Sequence, residues 1–366
     1  MGITSNCCCA KDNNEQKNTN VFESAAKNEN AISIDYFLNL IPKNIINEMD
    51  KEEFHNSKNN DDMKTERIFS DDNSSSDLND NIKEILYHGE CNKNGKKEGV
   101  GKMIIITEKE KIFFHGIWEN DNINYGTIYY GDGSKYKGEI KDNKRNGKGE
   151  YNSITENYNY NGDWKNDKKE GEGTLNFTDG TEYTGYFKNN QFNGEGKMIW
   201  KNGFSYQGNF LNNCLHGKGY LRGNNEHIYE GDFKNGKFHG NGTFKWINRT
   251  GTEFYKGNYT CGQKDGKGEF HFSNGHVYNG SWKSGEPDGE GIYETNNRKY
   301  IGNWRSGIFM QLIEVEEKEK MQEENLNLTF KVPIEDIYIS EHLSTSVNTA
   351  SSIKSSDISP YVTYLQ

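Results

Sequence analysis

The residues whose types and spacing point to chemistry stand at the start of the chain, Met1-Gly2-Ile3-Thr4-Ser5-Asn6-Cys7-Cys8-Cys9. Removal of Met1 frees the Gly2 amine, and an N-terminal glycine is the acceptor for amide-linked myristate. The motif asks for Ser or Thr at position six. This chain has Asn6, which is small and polar. One myristoyl chain holds a bilayer only marginally, so stable anchoring needs a second signal. A polybasic patch does not supply it, because Lys11 is the only nearby cation. Thioester-linked palmitate on Cys7, Cys8 or Cys9 does, since these thiols follow directly behind the glycine. Residues 1–12 therefore read as a dual-acylation signal that anchors the chain to a membrane without spanning it. The alternative is an unmodified terminus.

Elsewhere the residue types that perform catalysis are not arranged for it. Gly-x-Gly recurs, as in Gly194-Glu195-Gly196, but no Gly-x-x-x-x-Gly-Lys-Ser/Thr accompanies it. His216 and His239 fill the same place before Gly217 and Gly240, which reads as a turn role. No Ser/His/Asp order and no metal-ligand spacing stands out, and Asp71 to Asp77 lacks the glycine and closing glutamate of a calcium loop. The chain is expected to be non-enzymatic, with no cofactor and no metal. Cys91, Cys214 and Cys261 are scattered without a disulfide framework, which suits a reduced, intracellular setting. No apolar run reaches transmembrane length, and the N-terminus has no apolar signal-peptide core.

Composition divides the 366 residues into four parts. Residues 1–86 hold 9 Lys and Arg against 17 Asp and Glu, and residues 308–366 hold 4 against 10. The middle, with 31 against 28, is nearly neutral and carries no basic face for nucleic acid. Residues 13–86 read as an acidic, disordered linker, with low-complexity runs at 56–62 and 70–81. Within it Ile34, Phe37, Leu38, Ile41, Ile45 and Ile46 fall on one face of a helix over 32–49, interrupted by Pro42, either a transient helix or a docking motif. Residues 308–366 read as an acidic, Ser-rich tail. A short helix is expected at 314–325, a linear motif or added edge strand at 334–339, and a Ser/Thr-rich stretch open to phosphorylation at 340–359.

Residues 87–307 repeat. Lead aromatics fall at Tyr87, Phe114, Tyr136, Tyr160, Tyr183, Tyr206, Tyr229, Tyr255, Tyr278 and Tyr300. A glycine follows each at +2, and eight of the ten +4 positions are aromatic, among them Trp118, Trp164, Phe187, Phe210, Phe233, Trp282 and Trp304. Apolar and polar residues alternate with the period of a strand. Asp179-Gly180, Asn202-Gly203 and Asn274-Gly275 supply hairpin turns between units. The Gly-x-Gly is placed where the chain turns sharply into its second strand, and the +2 glycine leaves room for a ring of the neighbouring hairpin. This unit resembles the MORN repeat (membrane occupation and recognition nexus), Tyr-x-Gly-x-Trp/Phe followed by Gly-x-Gly and a second strand. The first unit departs with Cys91, the second reads Asn124-Tyr125-Gly126 without Gly-x-Gly, and the last stops at Gly307.

The expected fold is all-β: a single-layer antiparallel ribbon of about ten stacked hairpins, solenoid-like and on the order of 95 Å long at about 4.8 Å per strand. The aromatics read as its packing, with a groove for a peptide or lipid tail as the sharper alternative. Lys165, Lys188, Lys234 and Lys283 follow the second aromatic and form a candidate row toward anionic phospholipid or an acidic partner, offset by Asp163, Glu230 and Asp232. Open ribbon edges invite a homodimer. The resemblance implies a membrane-tethered scaffold on a cytoplasmic membrane face, plasma membrane or inner membrane system, with cytoskeletal or signalling partners. The Asn- and Lys-rich linkers resemble those of AT-rich protozoan genomes, and apicomplexan arrays of this kind act at the pellicle. MORN arrays joined to lipid kinases imply the alternative, a phosphoinositide-binding or kinase-regulating module.

Overall fold

A computed structural model describes residues 39–43, 45, 63–68, 82–223, 227–248 and 251–317. The acylation signal at 1–12, the low-complexity runs and the expected motifs at 334–339 and 340–359 lie outside the described residues. The described chain is antiparallel β, apart from helical residues within 39–45. It divides into two compact units, residues 1–143 and 144–366.

The first unit holds β1 (Met63–Ile68), β2 (Ile82–Cys91), β3 (Lys97–Thr107), β4 (Lys111–Glu119), β5 (Asn122–Tyr129) and β6 (Lys135–Lys141), each paired with the next. β1 and the start of β2 lie within the stretch read as linker. On one face of this sheet Leu86, Ile104, Phe113 and Tyr129 are buried together with Ile41 and Ile45. The sequence left the 32–49 segment between a transient helix and a docking motif; here Ile41 and Ile45 sit on the sheet.

The second unit begins with β7 (Lys144–Ser153), β8 (Tyr158–Lys165), β9 (Lys168–Phe177), β10 (Glu182–Lys188) and β11 (Gln191–Ile199). It continues with β12 (Ser205–Leu211), β13 (Cys214–Arg222), β14 (Ile228–Lys234), β15 (Lys237–Asn248) and β16 (Gly251–Thr260). β17 (Gln263–His271), β18 (Val277–Lys283), β19 (Glu286–Glu294), β20 (Arg298–Arg305) and β21 (Ile308–Glu317) complete it. β21 completes the last hairpin, so the array does not stop at Gly307. It also converts Glu314–Glu317, read as the start of a helix, into strand. Alternating side chains paired against β20 override helix propensity there.

One unit shows how the sequence builds the sheet. Tyr183 and Phe187 turn to one face and are 0% and 3% exposed, whereas Thr184, Tyr186 and Lys188 are open on the other. Gly185 pairs with Gly196 across β10 and β11. A Cβ on Gly196 would lie 2.6 Å from the Tyr183 hydroxyl, and one on Gly185 would lie 2.5 Å from the Gly196 Cα. The glycines thus make room for the lead tyrosine of their own hairpin, two residues before Gly185 on β10 and across from Gly196 on β11, not for a neighbouring hairpin's ring. The ladder shifts register between Gly185 and Phe187, which leaves the Tyr186 carbonyl outside it. The Tyr183 hydroxyl donates to that carbonyl at 2.9 Å. The same i to i+3 bond recurs from Tyr87, Tyr136, Tyr160, Tyr206, Tyr229, Tyr255 and Tyr278. Each bulge carbonyl is satisfied by the ring that covers the glycines.

Asp179-Gly180, Asn202-Gly203 and Asn274-Gly275 turn between units as expected, but the turn within a unit differs from the expected placement. There the chain reverses at two-residue turns whose residues both have positive φ, as at Asn189 (50°) and Asn190 (67°), four residues before the Gly-x-Gly begins. Gly194, at φ 71°, then lies inside β11 opposite the bulge. The Gly-x-Gly is a bulge-and-pair element rather than a hairpin turn. The second repeat, in the first unit, keeps this pairing without the motif, since Gly126 stands opposite Gly116.

Candidate functional site

The aromatic face is occupied by its own packing. Trp118, Trp164, Phe187, Phe210, Phe233, Trp282 and Trp304 are 2–4% exposed. Several lead tyrosines sit edge-on between two of them: Tyr183 is 5.1 Å from Phe187 and 5.1 Å from Phe210 of the next hairpin. Tyr206 bridges Phe210 and Phe233 at 5.1 and 5.2 Å, and Tyr278 bridges Trp282 and Trp304 at 5.3 and 5.0 Å. Such pairs contribute about 0.5–1.5 kcal/mol each beyond area burial. The indoles of Trp118, Trp164 and Trp282 also donate to the carbonyls of Gly101, Gly149 and Gly268.

A further slot on this face escaped the sequence reading. The residue two positions before the Gly-x-Gly, at the start of the returning strand, packs on the rings of this face. Phe192 stacks on Tyr183 at 4.0 Å and Phe238 on Tyr229 at 3.8 Å. In other hairpins a cation takes the place. Lys97 lies 5.5 Å from the Tyr87 ring, Arg145 4.4 Å from Trp164, Lys169 5.5 Å from Tyr160 and 4.1 Å from Tyr158, and Lys264 4.6 Å from Trp246. Lys264 is 2% exposed. Ammonium and guanidinium groups over aromatic faces replace ring stacking with cation–π attraction. Burial pulls the Lys169 ammonium down to about 8, with Glu156 opposing and Arg145 adding to the fall. The signal was a fixed offset, two residues after the turn, but alternation of Phe, Leu, Lys and Arg hid a common position.

The candidate lysine row lies where the lead strands end. Lys165, Lys188, Lys234 and Lys283 are the last residues of β8, β10, β14 and β18 and are exposed. Leu211 and Thr260 occupy the equivalent ends of β12 and β16, and Arg305 that of β20. Neighbouring hairpins are about 10 Å apart at two strand spacings. The interruptions therefore open gaps of about 20 Å, well beyond the roughly 8 Å Debye length at physiological salt. The acids expected to offset this row are engaged elsewhere: Asp163 with Lys148 and Asp232 with Lys218, each at 2.6 Å. Burial works to raise the Asp232 carboxyl, but the Lys218 ammonium and the Asn241 amide outweigh it and hold the group below its ordinary value.

The polar face of the second unit forms an open groove of about 1280 Å³ across β10 to β18. Its floor is the bare backbone of the glycine pairs, Gly185 with Gly196, Gly208 with Gly219, Gly231 with Gly242 and Gly257 with Gly268. Lys197, Lys218, Lys256 and Lys267 line it against Glu195, Glu230 and Glu269, with Asn209, Asn241 and Tyr220 between. Mixed charge and amides on an extended floor suit hydrogen bonding to a polar chain more than burial of an apolar tail. His216 and His239 stand opposite Asn209 and Asp232 beside the bulges. Among the described residues no group of three or more His, Cys, Asp or Glu side chains could hold a metal ion, and no helix is long and apolar enough to cross a membrane.

No curated protein matches the sequence. Among solved structures, the chain is similar to the TCP10 domain of Danio rerio CPAP in complex with a peptide of STIL, at 9% identity and TM-score 0.36. That alignment covers 63% of this chain and 99% of that one. It is also similar to the SAS-4 (dCPAP) TCP domain of Drosophila melanogaster, in complex with a proline-rich motif of Ana2, at 15% identity and TM-score 0.23, over 40% of this chain and 84% of that one. The MORN repeat model matches residues 136–153, 160–182, 183–204, 206–227, 229–250, 255–277 and 278–298. Seven stretches of the array thus match the MORN repeat model.

Proposed function

We propose that the protein is a membrane-tethered scaffold without catalytic activity of its own. Acyl chains on Gly2 and on one or more of Cys7, Cys8 and Cys9 hold it to a cytoplasmic membrane face, and the repeat array presents a surface to cytoskeletal or signalling proteins. The observation that carries the scaffold reading is the division of labour between the faces. The aromatics are consumed in packing, which leaves the glycine-floored polar groove as the surface available to a partner. The anchor rests on the N-terminal sequence and the two-signal requirement for stable acyl attachment.

Fractionation of cells expressing Gly2→Ala and Cys7→Ser/Cys8→Ser/Cys9→Ser variants tests the anchor. Both variants are expected in the soluble fraction, and full membrane retention of both rejects it. Proximity labelling with a Lys218→Glu/Lys256→Glu variant tests the groove, since the labelled set should change while fractionation does not. An unchanged set removes the groove from the reading.

A second reading, recognition of anionic phospholipid, is favoured by the exposure of Lys165, Lys188, Lys234 and Lys283 along one edge. It predicts salt-sensitive binding of the unacylated protein to phosphoinositide vesicles, weakened when these four become Ala. No binding at low salt rejects it.

A further inference from the structure

The last strand ends the array in a state no interior strand shares. Among the described residues β21 is paired on one side only, with β20. Its apolar side chains are open: Ile308 is 52% exposed, Met310 58%, Leu312 45%, Ile313 55% and Val315 38%. Phe309, Leu312 and Val315 stand opposite Trp304, Gly302 and Tyr300, at the end of the aromatic face. In interior hairpins that position is covered by the next unit, as Phe210 covers Tyr183. A long, exposed, apolar edge strand templates pairing with another strand.

The sequence beyond β21 contains a run whose alternation suits that edge. Residues 318–324, Lys-Glu-Lys-Met-Gln-Glu-Glu, make a polar connection. Leu326, Leu328, Phe330 and Val332 then alternate strictly with Asn327, Thr329 and Lys331, and Pro333 follows. That is a period of two ending at a residue that cannot donate to a ladder. The run at 334–339 lacks such alternation. An adjacent antiparallel strand is only about 4.8 Å away, and a connection of this length spans it easily. The connection also sets the competition with a second copy. A short tether gives an effective concentration in the millimolar range, about a thousandfold above a protein at micromolar concentration.

We propose that residues 326–332 of the same chain dock antiparallel on β21 and close this end of the array, with the apolar residues of one face covering Phe309, Leu312 and Val315. Repeat arrays need such a cap to remain soluble. Covering the edge also blocks its pairing with other strands.

Hydrogen exchange of the full-length protein tests this, comparing wild type, Leu328→Asp/Phe330→Asp and the conservative Phe330→Leu at two widely separated protein concentrations. Amides of residues 308–317 should be protected in the wild type at both concentrations. They should exchange on the order of tenfold faster or more in the double variant and remain protected in Phe330→Leu. Amides of β12 to β18 serve as the internal control for folding. Three results overturn the proposal: rapid exchange of the edge in the wild type; protection that rises with concentration alongside dimer mass; or protection unchanged in the double variant.

Discussion

Gly219→Ala gives the sharpest test of how this sheet is built, because the competing expectations differ in sign. Gly219 has ordinary extended backbone, so alanine carries no conformational strain there. Replacing a strand glycine should by itself stabilise by about 0.5–1 kcal/mol through reduced unfolded-state entropy. The packing argument gives the opposite result. A Cβ at Gly219 would lie 2.4 Å from both Cε2 and the hydroxyl oxygen of Tyr206 and 2.6 Å from Cζ, all on a ring that is 1% exposed and held between Phe210 and Phe233. Such overlap displaces the ring or the backbone at a cost of about 1–3 kcal/mol. It also breaks the bond from the Tyr206 hydroxyl to the Asn209 carbonyl. The expected net effect is a loss of about 1–3 kcal/mol, read from urea unfolding followed by circular dichroism with the slope checked for constancy. The second arm is a double-mutant cycle. In a Tyr206→Ala background, itself costing about 3–5 kcal/mol by loss of a buried ring, Gly219→Ala should become neutral or stabilising. If Gly219→Ala stabilises the wild type, or costs the same in both backgrounds, the tyrosine-over-glycine account is wrong.

Four more outcomes follow from named contacts. Tyr229→Phe keeps the ring but orphans the Asp232 carbonyl; unfolding should show a loss of about 1–2 kcal/mol, and no loss would mean the hydroxyl contributes nothing. Asn213 donates its backbone N–H to the Phe192 carbonyl and accepts the Phe192 N–H on Oδ1 at 2.7 Å. Asn213→Gly keeps the positive φ and loses the side-chain bond, so it should cost about 1 kcal/mol, with Asn213→Ala worse by strain; equal effects would refute the conformational part. Ile45→Ala, at a buried contact with the first unit's sheet, should cost about 2–5 kcal/mol in unfolding of that unit, whereas an untethered segment predicts no change. Lys169 falls from 10.5 to about 8 by burial. Between about pH 8 and 9.5 the unfolded chain binds a proton there that the folded chain has released, so stability should rise with pH in that window. Lys169→Met should abolish the rise, and an identical slope in both proteins would remove Lys169 as its source. Above that window the buried tyrosines, Tyr183 and Tyr206 among them, are held neutral by burial and reverse the trend.

The periodic part of this fold was legible because one repeat constrains every other. Ten aromatics with glycine at +2 fix strand alternation, and alternation fixes which face is buried. What the sequence did not disclose was the relation between residues that are not one period apart. The glycine spacing suggested a neighbouring ring, yet the occupant is the tyrosine two residues before, and the clue was chemical. Nine of ten leads are tyrosine rather than phenylalanine, and only a hydroxyl can satisfy a bulge carbonyl. The turn within each unit was misplaced because Gly-x-Gly is the more familiar signal, whereas Asn189-Asn190 reverses the chain and its second side chain clamps the Lys169 amide. β1 and β21 lack the motif entirely. They are strands because a paired neighbour offers an edge, which local composition cannot reveal.

The slot two residues after each turn suggests why the array tolerates such varied sequence. The lead tyrosine presents a ring face to that position, and an apolar or a cationic residue can meet it. Phe192 and Phe238 stack flat on it, Lys97, Lys169 and Lys264 bring a charge over it, and Arg145 brings its charge over Tyr151 and Trp164 instead. A cation there must stay partly desolvated, and Arg145 offsets that cost with two bonds to Asp167 of the adjacent turn. The turn residue thus serves two hairpins: it reverses its own chain and holds the occupant of the slot before it. Where glycine takes the second turn position, as at Gly236 and Gly262, only the backbone bond to the preceding hairpin remains, to Leu215 and Phe238. There the slot holds an apolar residue that needs no polar partner. At Gly236 and Gly262 turn and slot match, but the match is not general: Gly285 takes the second turn position beside Lys264, and Asn213 takes it beside Phe192. Asp167 Oδ1 also accepts the backbone N–H of Arg145, as Asn213 Oδ1 accepts that of Phe192. An Arg145→Phe substitution should therefore lose only the two guanidinium bonds and be tolerated with Asp167 in place; urea unfolding in which Asp167→Gly restores the lost stability would refute this.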